Sequence, residues 1–335
     1  MANIRSDVLD LETLKATQAN HSYPLGSAPV QSTSLEAGRL LLVGDSPLGT
    51  RMIENLQSIF APEWKWIFLA ITLLGDETLL IGLSAAIYWC FDKRRGRSVT
   101  YVLLIGAYVN FFLKILIPWP RPPADLRIVE KNEMSYGFPS GHAQDSATFW
   151  AWASLDFRKR SLAFVGTAIV AAVGISRVYL GVHYPIQVIG GWVIGLSIAL
   201  VGTMISRYLP RRTEYTSLAH QTLLVVMILG PLIATALFGG ASGVNAGRIA
   251  GYLFGFWLGA LAERRYVKFT TEVGRPKKIL RVVIGGATVG LMALGFGTAY
   301  PGAYLIPAFA NSVIQGLAVA LVVPALFEMI ERDRV

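Results

Sequence analysis

Charged residues are scarce in this sequence. Of its 335 residues, 15% are Asp, Glu, Lys or Arg, whereas 53% are hydrophobic. A soluble domain usually contains about 25% charged residues. The shortage of charge and the length of the apolar runs exclude a soluble globular protein and predict a protein with many membrane-spanning helices.

Cysteine is almost absent, since Cys90 is the only one and lies inside an apolar run. A single cysteine excludes an intrachain disulfide and a cysteine-based metal site. The carboxylates do not form a pattern typical of a Mg²⁺ site. We therefore expect neither a metal nor another cofactor.

The net charge of +9 raises the question of nucleic acid binding. The basic residues, however, fall between the apolar runs, which is the pattern that sets membrane topology. We therefore expect membrane lipids as partners and no nucleic acid.

The first apolar run, Trp66–Phe91, is interrupted by Gly75-Asp76-Glu77. A charged side chain at the bilayer centre costs roughly 2.5–3.5 kcal/mol. We therefore predict an interfacial or re-entrant segment up to Leu74 and a first span from about Thr78. Asp76 and Glu77 are either substrate-side groups or residues of a helix start at the interface.

Further spans are predicted at 99–117, 141–156, 161–178, 184–205, 217–238, 246–262, 279–298 and 304–329. The fold class is therefore an all-α integral membrane protein with about nine spans, each near the ~20 residues that a bilayer needs. The predicted parts are a polar N-terminal segment (1–64), a helical core (65–210) and C-terminal transmembrane helices (211–335). Within the first part, Leu48–Phe60 has helical spacing and predicts a helix, either on the membrane surface or packed on the protein.

Basic residues mark alternate connections between the spans. They occur at 93–97, 158–160, 207–212 and 264–278, whereas 239–245 and 299–303 carry none. The basic connections are expected to be cytoplasmic. An odd number of spans then places the C-terminus in the cytoplasm and the N-terminus outside it.

Polar residues recur at the span ends opposite the basic connections. They are Lys114, Arg121, Ser140-Gly141-His142, Arg177 and His183. In an up-and-down bundle these residues converge on the extracytoplasmic face, whether periplasmic, external or lumenal. Any one of them alone has an ordinary explanation as an interfacial residue, but the ordered set does not.

Phosphoryl transfer is the chemistry that this set suits. Catalysis of that reaction consists mainly of positioning and charge stabilisation. Arg121 and Arg177 can bind phosphate oxygens with two hydrogen bonds each, and Lys114 adds a point charge. The N–H groups of residues 140–142 begin a helix and can bind an anion, with Gly141 allowing close approach. One histidine can attack phosphorus while the other protonates the leaving oxygen.

The spacing Lys114-x6-Arg121-Pro122, Pro139-Ser140-Gly141-His142 and Ser176-Arg177-x5-His183 resembles the three-part signature of the type 2 phosphatidic acid phosphatase (PAP2) superfamily. The resemblance implies a PAP2-type helical bundle, here with additional C-terminal helices, and a metal-independent phosphohistidine mechanism. By position it makes His183 the nucleophile and His142 the general acid. It makes the phosphate-binding residues Lys114, Arg121, Ser140, Gly141 and Arg177.

Gln187 departs from this signature, because the family usually has Asp four residues after the nucleophile. In this respect the sequence resembles the glucose-6-phosphatase-like branch, which carries Gln there. We expect Gln187 to accept a hydrogen bond from His183 and to orient it without supplying a negative charge. Asp76 and Asp145 are alternative sources of that charge.

The expected function is a membrane phosphatase that hydrolyses a phosphomonoester or diphosphate. A phosphorylated lipid is the favoured substrate and a small sugar phosphate the second. The alternatives are a phosphotransferase with an acceptor alcohol and a non-catalytic lipid-binding or transport protein. Glycines at 247, 251, 255 and 259 predict a close helix contact, either internal or in a homo-oligomer.

Overall fold

The computed structural model describes residues 47–129, 135–208, 240–299 and 305–332, together with Gly230. Over these ranges the regular structure is helical, without a β-strand, which confirms the predicted all-α class. The predicted span 217–238, apart from Gly230, lies outside the described residues. The predicted N-terminal segment is described only from Pro47 onward.

The described α-helices are labelled in chain order. They are α1 (Pro47–Ile59), α2 (Lys65–Leu73), α3 (Glu77–Cys90), α4 (Lys93–Leu116), α5 (Gly141–Phe157), α6 (Arg160–Tyr179), α7 (Pro185–Tyr208), α8 (Gly240–Ala262), α9 (Arg275–Ala299), α10 (Leu305–Leu317) and α11 (Val323–Arg332). A π-helical turn, Ala318–Val322, joins α10 to α11.

Four helical segments within the described ranges are long and apolar enough to cross a membrane: α4, α6, α7 and the continuous helix Ile306–Glu331. A fifth is counted if Pro62–Leu73 and Glu77–Cys90 form one span bent by 42°. The chain is thus an integral membrane protein. The expected total of about nine spans exceeds this number and stays a prediction.

The apolar run that contains Asp76 is broken where its charges predict a break. The α2 helix ends at Leu73, and Asp76 is the extended residue that precedes α3. The carboxylate oxygen Oδ1 of Asp76 accepts a hydrogen bond from the Thr78 N–H at 2.9 Å. A capping carboxylate satisfies one of the free N–H groups at a helix start, which explains why the new helix begins here.

Two glycines of α7 bring its first turns against the first turns of α5. A Cβ atom at Gly191 would lie 2.7 Å from the carbonyl oxygen of Ser140, and one at Gly195 would collide with that of Gln144. A side chain at either position would push the helices apart. The packing therefore holds the starts of α5 and α7 side by side.

The α1 helix is present where the sequence predicts one. Ile53 is fully buried and packs in a cluster with Val178 and Tyr184. The Gln57 side-chain amide donates to the carbonyl oxygens of Leu126 and Tyr179, both at 2.9 Å. Of the two interpretations of this helix, the structure supports packing on the protein.

The glycine stripe of α8 makes an internal contact with α10. Cβ atoms at Gly251 and Gly255 would collide with the carbonyl oxygens of Phe309 and Val313, respectively. Small residues let two helix backbones approach closely in a membrane. The predicted close contact is therefore present, and it lies within one chain. A homo-oligomer remains a prediction without support from this stripe.

The α3 helix connects the C-terminal helices to the rest of the described structure. Tyr88 and Trp89 share a buried cluster with Phe256 of α8 and Phe327 of α11. The Trp89 indole N–H donates to the Val319 carbonyl oxygen at 2.9 Å. Aromatic side chains contribute much of the burial in such contacts. The far end of α3 is therefore fixed by the C-terminal helices.

Candidate active site

The short connection 180–184 between α6 and α7 carries His183. Its second residue, Gly181, has φ of +69°, a conformation that glycine adopts without strain. A Cβ atom at Gly181 would also collide with the Leu126 carbonyl oxygen. The tight turn places the His183 side chain inside the protein, where it is only 1% exposed.

Gln187 orients the His183 ring from the first turn of α7. Its Oε1 lies 3.1 Å from His183 Nδ1 and also accepts from the Tyr184 N–H at 3.2 Å. Its Nε2 donates to the Pro120 carbonyl oxygen at 2.7 Å. These two main-chain bonds fix which end of the amide faces the ring. The His183 Nδ1 therefore carries the proton and donates a hydrogen bond to Gln187 Oε1, which is the contact that the sequence predicts.

Arg121 occupies the other side of the ring. Its Nη1 lies 3.0 Å from His183 Nε2. Because a guanidinium can only donate, Nε2 must be the acceptor. This contact agrees with the tautomer set by Gln187. The lone pair of Nε2 thus faces the side from which Arg121 approaches.

Burial holds the pKa of His183 well below its usual range, and the positive charges of Arg121, Arg177 and Lys114 lower this pKa further. The hydrogen bond to Gln187 acts in the opposite direction but does not offset these causes. A neutral imidazole is therefore the stable form near pH 7. Only the neutral ring has a free lone pair with which to attack.

Two further predicted cations lie within electrostatic range of His183, each in the last turn of a helix. Lys114, at the end of α4, donates from Nζ to the Tyr136 carbonyl oxygen at 2.6 Å. Arg177, at the end of α6, is 4% exposed and donates from Nη1 to Thr72 Oγ1 at 3.2 Å. The positive charges of both lower the pKa of His183.

Main-chain oxygens hold Arg121 in the loop that follows α4. Its Nη1 donates to the Val182 carbonyl oxygen at 3.1 Å, beside His183. Its Nε donates to the Ser135 carbonyl oxygen at 2.8 Å, and Nη2 donates to Ser135 Oγ at 3.0 Å. The guanidinium plane is therefore fixed between two segments of chain.

The turn Ser140-Gly141 begins α5 next to this cluster. The Ser140 N–H donates to the Gln187 carbonyl oxygen at 3.0 Å. This N–H is therefore already engaged and is not available to an anion, contrary to what the sequence predicts for residues 140–142. Ser140 is fully buried, and its Oγ has no hydrogen-bond partner among the described residues. A Cβ atom at Gly141 would lie 3.7 Å from Asn110 Oδ1, an ordinary contact, so packing does not by itself require glycine there.

His142 is the second residue of α5. Its Nε2 lies 4.0 Å from Oδ2 of Asp76, and its side chain is 23% exposed. Two residues before it, the Ser140 N–H donates a hydrogen bond to the Gln187 carbonyl oxygen. The predicted general acid therefore sits at a helix start that is tied to the partner of the predicted nucleophile.

The sequence did not point to the residues that support this turn. Asn110 Nδ2 donates to the Pro139 carbonyl oxygen at 3.3 Å and to Gln144 Oε1 at 3.0 Å. Gln144 Nε2 in turn donates to the Gly106 carbonyl oxygen at 2.7 Å. A signal was present, because Asn110 is a polar residue in an apolar span, one turn before Lys114.

The arrangement defines the class of the protein. It is an integral membrane helical protein with a buried neutral histidine among three cations and a helix start. Such a site can bind a tetrahedral oxyanion. Within the ranges that the structure describes, no three His, Cys, Asp or Glu side chains are grouped as metal ligands.

Two sequence-family models match the chain. One, described as PAP2 superfamily, covers residues 95–211. The other, described as PAP2 superfamily phosphatase, transmembrane extension, covers residues 247–332. All of the residues predicted for the site lie in the first range. The chain belongs to the PAP2 superfamily, as its signature predicts.

Several curated proteins are similar to the chain over part of their length. Phosphatidylglycerophosphatase B of Bacillus subtilis is 30% identical over 39% of this chain and 69% of its own length. Glucose-6-phosphatase 3 of Mus musculus is 28% identical over 57% of this chain and 61% of its own. Lipid phosphate phosphatase delta of Arabidopsis thaliana is 29% identical over 33% and 31%.

A solved structure is also similar, namely the crystal structure of the first transmembrane PAP2-type phosphatidylglycerolphosphate phosphatase from Bacillus subtilis. Its TM-score is 0.46 at 24% sequence identity. The match covers 53% of this chain and 94% of that one.

Proposed function

We propose that this protein is a membrane phosphatase that hydrolyses a phosphomonoester or diphosphate through a phosphohistidine intermediate. The observation that carries the proposal is the state of His183. Its Nδ1 is fixed by Gln187, and its unprotonated Nε2 lies 3.0 Å from the Arg121 guanidinium. The proposed nucleophile and a group that can bind phosphate are therefore adjacent in the site.

In the first step, the Nε2 lone pair of His183 attacks phosphorus. The N–P bond forms, the bond from phosphorus to the leaving oxygen breaks, and His142 gives its proton to that oxygen. Arg121 must at the same time exchange its hydrogen bond to Nε2 for one to a phosphate oxygen. Lys114 and Arg177 stabilise the charge on the other oxygens.

In the second step, water attacks the phosphorus of the phosphohistidine. Its proton passes to His142, the N–P bond breaks, and inorganic phosphate leaves. Both histidines thereby return to their starting states. At the start of α5, Gly141 contributes its N–H group and Ser140 its buried Oγ, and the absence of a Gly141 side chain leaves room for a phosphate oxygen.

Lipid phosphates are the proposed substrates, with sugar phosphates second. Exposed apolar side chains flank the site residues, including Leu116 beside Lys114 and Ile186 beside Gln187. In a membrane such side chains face lipid, so a substrate with an apolar tail could approach the site from the bilayer. The names of two relatives, phosphatidylglycerophosphatase B and lipid phosphate phosphatase delta, support the same class.

The proposed position of the site is the extracytoplasmic face. Lys114 ends α4, whereas the basic residues 93–97 begin it. Ser140 precedes α5, whereas Arg158 follows it. Site residues and basic connections are therefore at opposite helix ends. Because the basic connections favour the cytoplasm, the site should face the other side.

Phosphate release by the purified protein tests the proposal. The substrates are phosphatidylglycerophosphate, undecaprenyl diphosphate, sphingosine 1-phosphate and glucose 6-phosphate in detergent micelles. We expect release with at least one lipid phosphate, no loss in EDTA, and inhibition by vanadate as an analogue of five-coordinate phosphorus. His183→Ala should abolish release, whereas Asp125→Asn, on the exposed part of the nearby loop, should not.

Two results would contradict the proposal. One is full activity of His183→Ala, with no phosphohistidine trapped in the unmodified protein. The other is loss of activity in EDTA with recovery in Mg²⁺. Consumption of substrate without equivalent phosphate release would instead indicate transfer to an acceptor alcohol.

A further inference from the structure

The break between α2 and α3 touches two residues of the proposed site. Thr72, in the last turns of α2, accepts a hydrogen bond from Arg177 Nη1 at 3.2 Å. A Cβ atom at Gly75 would lie 2.8 Å from the carbonyl oxygen of His142 and 2.7 Å from Val173 Cγ1. The absence of a side chain at Gly75 therefore lets the segment between α2 and α3 pack directly against the first turn of α5.

Asp76 uses its two carboxylate oxygens differently. Oδ1 accepts from the Thr78 N–H at 2.9 Å and so caps α3. Oδ2 lies 4.0 Å from Nε2 of His142. The cap fixes the side chain at the helix start, and this leaves Oδ2 aimed at the imidazole. The carboxylate is thus positioned by its own helix rather than by the histidine it faces.

We propose that Asp76 is a positioning residue that keeps His142 oriented and protonated as the general acid. The inference rests on the proposed phosphatase function. A carboxylate at 4.0 Å favours the charged imidazolium, and this is the form that can give a proton to the leaving oxygen. The side chains of His142 and Asp76 are 23% and 36% exposed, respectively, so solvent weakens the interaction without abolishing it.

Other charges surround the pair and share in its electrostatics. Asp145, one turn along α5 from His142, is within electrostatic reach of Asp76, Glu77 and Lys114. Glu77 in turn interacts with Arg248 of α8. The charges come from four helices, namely α3, α4, α5 and α8. A test must therefore separate the contact with Asp76 from the general field.

Replacement of Asp76 by Asn separates its charge from its capping role, because Asn is as good a helix cap as Asp. The readout is kcat/KM for two substrates of one enzyme preparation, an alkyl phosphate and p-nitrophenyl phosphate. An alkoxide needs a proton in order to leave, whereas p-nitrophenolate does not. A general acid therefore matters for the first substrate and little for the second.

We expect Asp76→Asn to lower kcat/KM for the alkyl phosphate about tenfold and that for p-nitrophenyl phosphate less than about threefold. The alkaline limb of the alkyl phosphate profile should move to lower pH. Asp76→Ser, which also keeps a capping oxygen, should show the same discrimination. The melting temperatures of both variants should stay close to that of the unmodified protein.

Glu77→Gln is the matched control, since it replaces the neighbouring carboxylate, at the first residue of α3, by its amide. It should leave the ratio between the two substrates unchanged. An equal loss on both substrates in Asp76→Asn, or no loss, would assign Asp76 to the helix cap alone. The same discrimination in Glu77→Gln would assign the effect to the general field.

These results can be told apart from a failure of the proposed function. If the unmodified protein releases no phosphate, or His183→Ala remains active, the phosphatase assignment and the role of Asp76 both fall. If release depends on His183 but not on Asp76, only the inference about Asp76 falls.

Discussion

The residue that contacts His183 Nδ1 is a neutral amide, so it sets the tautomer of the ring without adding a negative charge. An amide at 187 can accept from Nδ1, but it leaves the imidazolium without a negative neighbour. Burial and three cations then hold the pKa of His183 well below its usual range. The ring is therefore ready to attack near pH 7, while the N–P bond must form without help from an adjacent carboxylate.

Changes at Gln187 should separate orientation from charge. Gln187→Ala removes the acceptor at 3.1 Å from Nδ1 and should lower turnover roughly ten- to a hundredfold. Gln187→Asp should keep activity, because a carboxylate can also accept from Nδ1. Gln187→Glu should be worse than Gln187→Asp, since its longer side chain brings an oxygen to the Pro120 carbonyl that Nε2 now contacts. Steady-state kinetics of the three variants would contradict this if Gln187→Ala were fully active.

The pH dependence should follow from the neutral state of His183. Since the ring must be neutral to attack and its pKa is lowered, protonation removes activity only well below pH 6.5. The acid limb of kcat/KM should therefore lie on the low side of that value. In Gln187→Asp the added negative charge favours the imidazolium, so the limb should move to higher pH. An acid limb above pH 7 in the unmodified protein would contradict the assignment.

The pair of His183 and Gln187 could be predicted because the PAP2 signature that the sequence resembles has an orienting residue four positions after the nucleophile. An amide oxygen at that position can accept a hydrogen bond from the ring N–H. No such rule joins Thr72 to Arg177 or Asp76 to His142, which are far apart in the chain. For that reason the sequence left the role of Asp76 open between substrate contact and helix start.

Helix ends and helix contacts set the geometry at the scale of secondary structure. The break at Asp76 was predictable because a bilayer core rejects adjacent acidic residues. The glycine stripe of α8 predicted a close contact but not its partner, because spacing indicates a face and not what it meets. Contacts such as that of α7 with α5 depend on three-dimensional packing that single glycines do not reveal.

Gly191 offers a test of the contact between α5 and α7. An added Cβ would lie 2.7 Å from the Ser140 carbonyl oxygen, so Gly191→Ala should displace the start of α5. We expect lower thermal stability and a loss of phosphate release of at least about tenfold, as misplacement of catalytic groups produces.

Gly286→Ala in α9 is the matched control. A Cβ there would have no atom within 4 Å, so it should cost nothing and can stabilise the helix by roughly 0.5–1 kcal/mol. Equal melting temperatures and activities for the two variants would show that the α5–α7 contact does not position the site.

At the scale of the whole molecule, the two ends of the described helices differ in chemistry. Three described spans, α4, α6 and α7, carry basic residues at one end and residues of the proposed site at the other. An ion pair lies at the basic end, where Lys93 Nζ is 2.6 Å from the fully buried Glu263 carboxylate. This polarity fixes the expected orientation in the membrane.

Cysteine labelling can test that orientation, because the natural Cys90 is buried. We expect a cysteine at Asp125, which is exposed, to react with a membrane-impermeant maleimide added to intact cells. A cysteine at Lys159, also exposed, should react only after the membrane is opened. The reverse pattern would place the site in the cytoplasm.

Much of the scaffold around the proposed site consists of carbonyl oxygens rather than side chains. Lys114 donates a hydrogen bond to the Tyr136 carbonyl oxygen. Arg121 donates to the Val182 carbonyl oxygen, and Gln187 donates to the Pro120 carbonyl oxygen. Every amino acid has a main-chain carbonyl group, so these hydrogen bonds depend on the backbone conformation and not on the identity of the side chains at Tyr136, Val182 and Pro120. The loops beside the site can therefore change their side chains, and with them the outer parts of a substrate that they admit, while the cations keep their places. Substrate preference and catalytic geometry can evolve separately in such a protein.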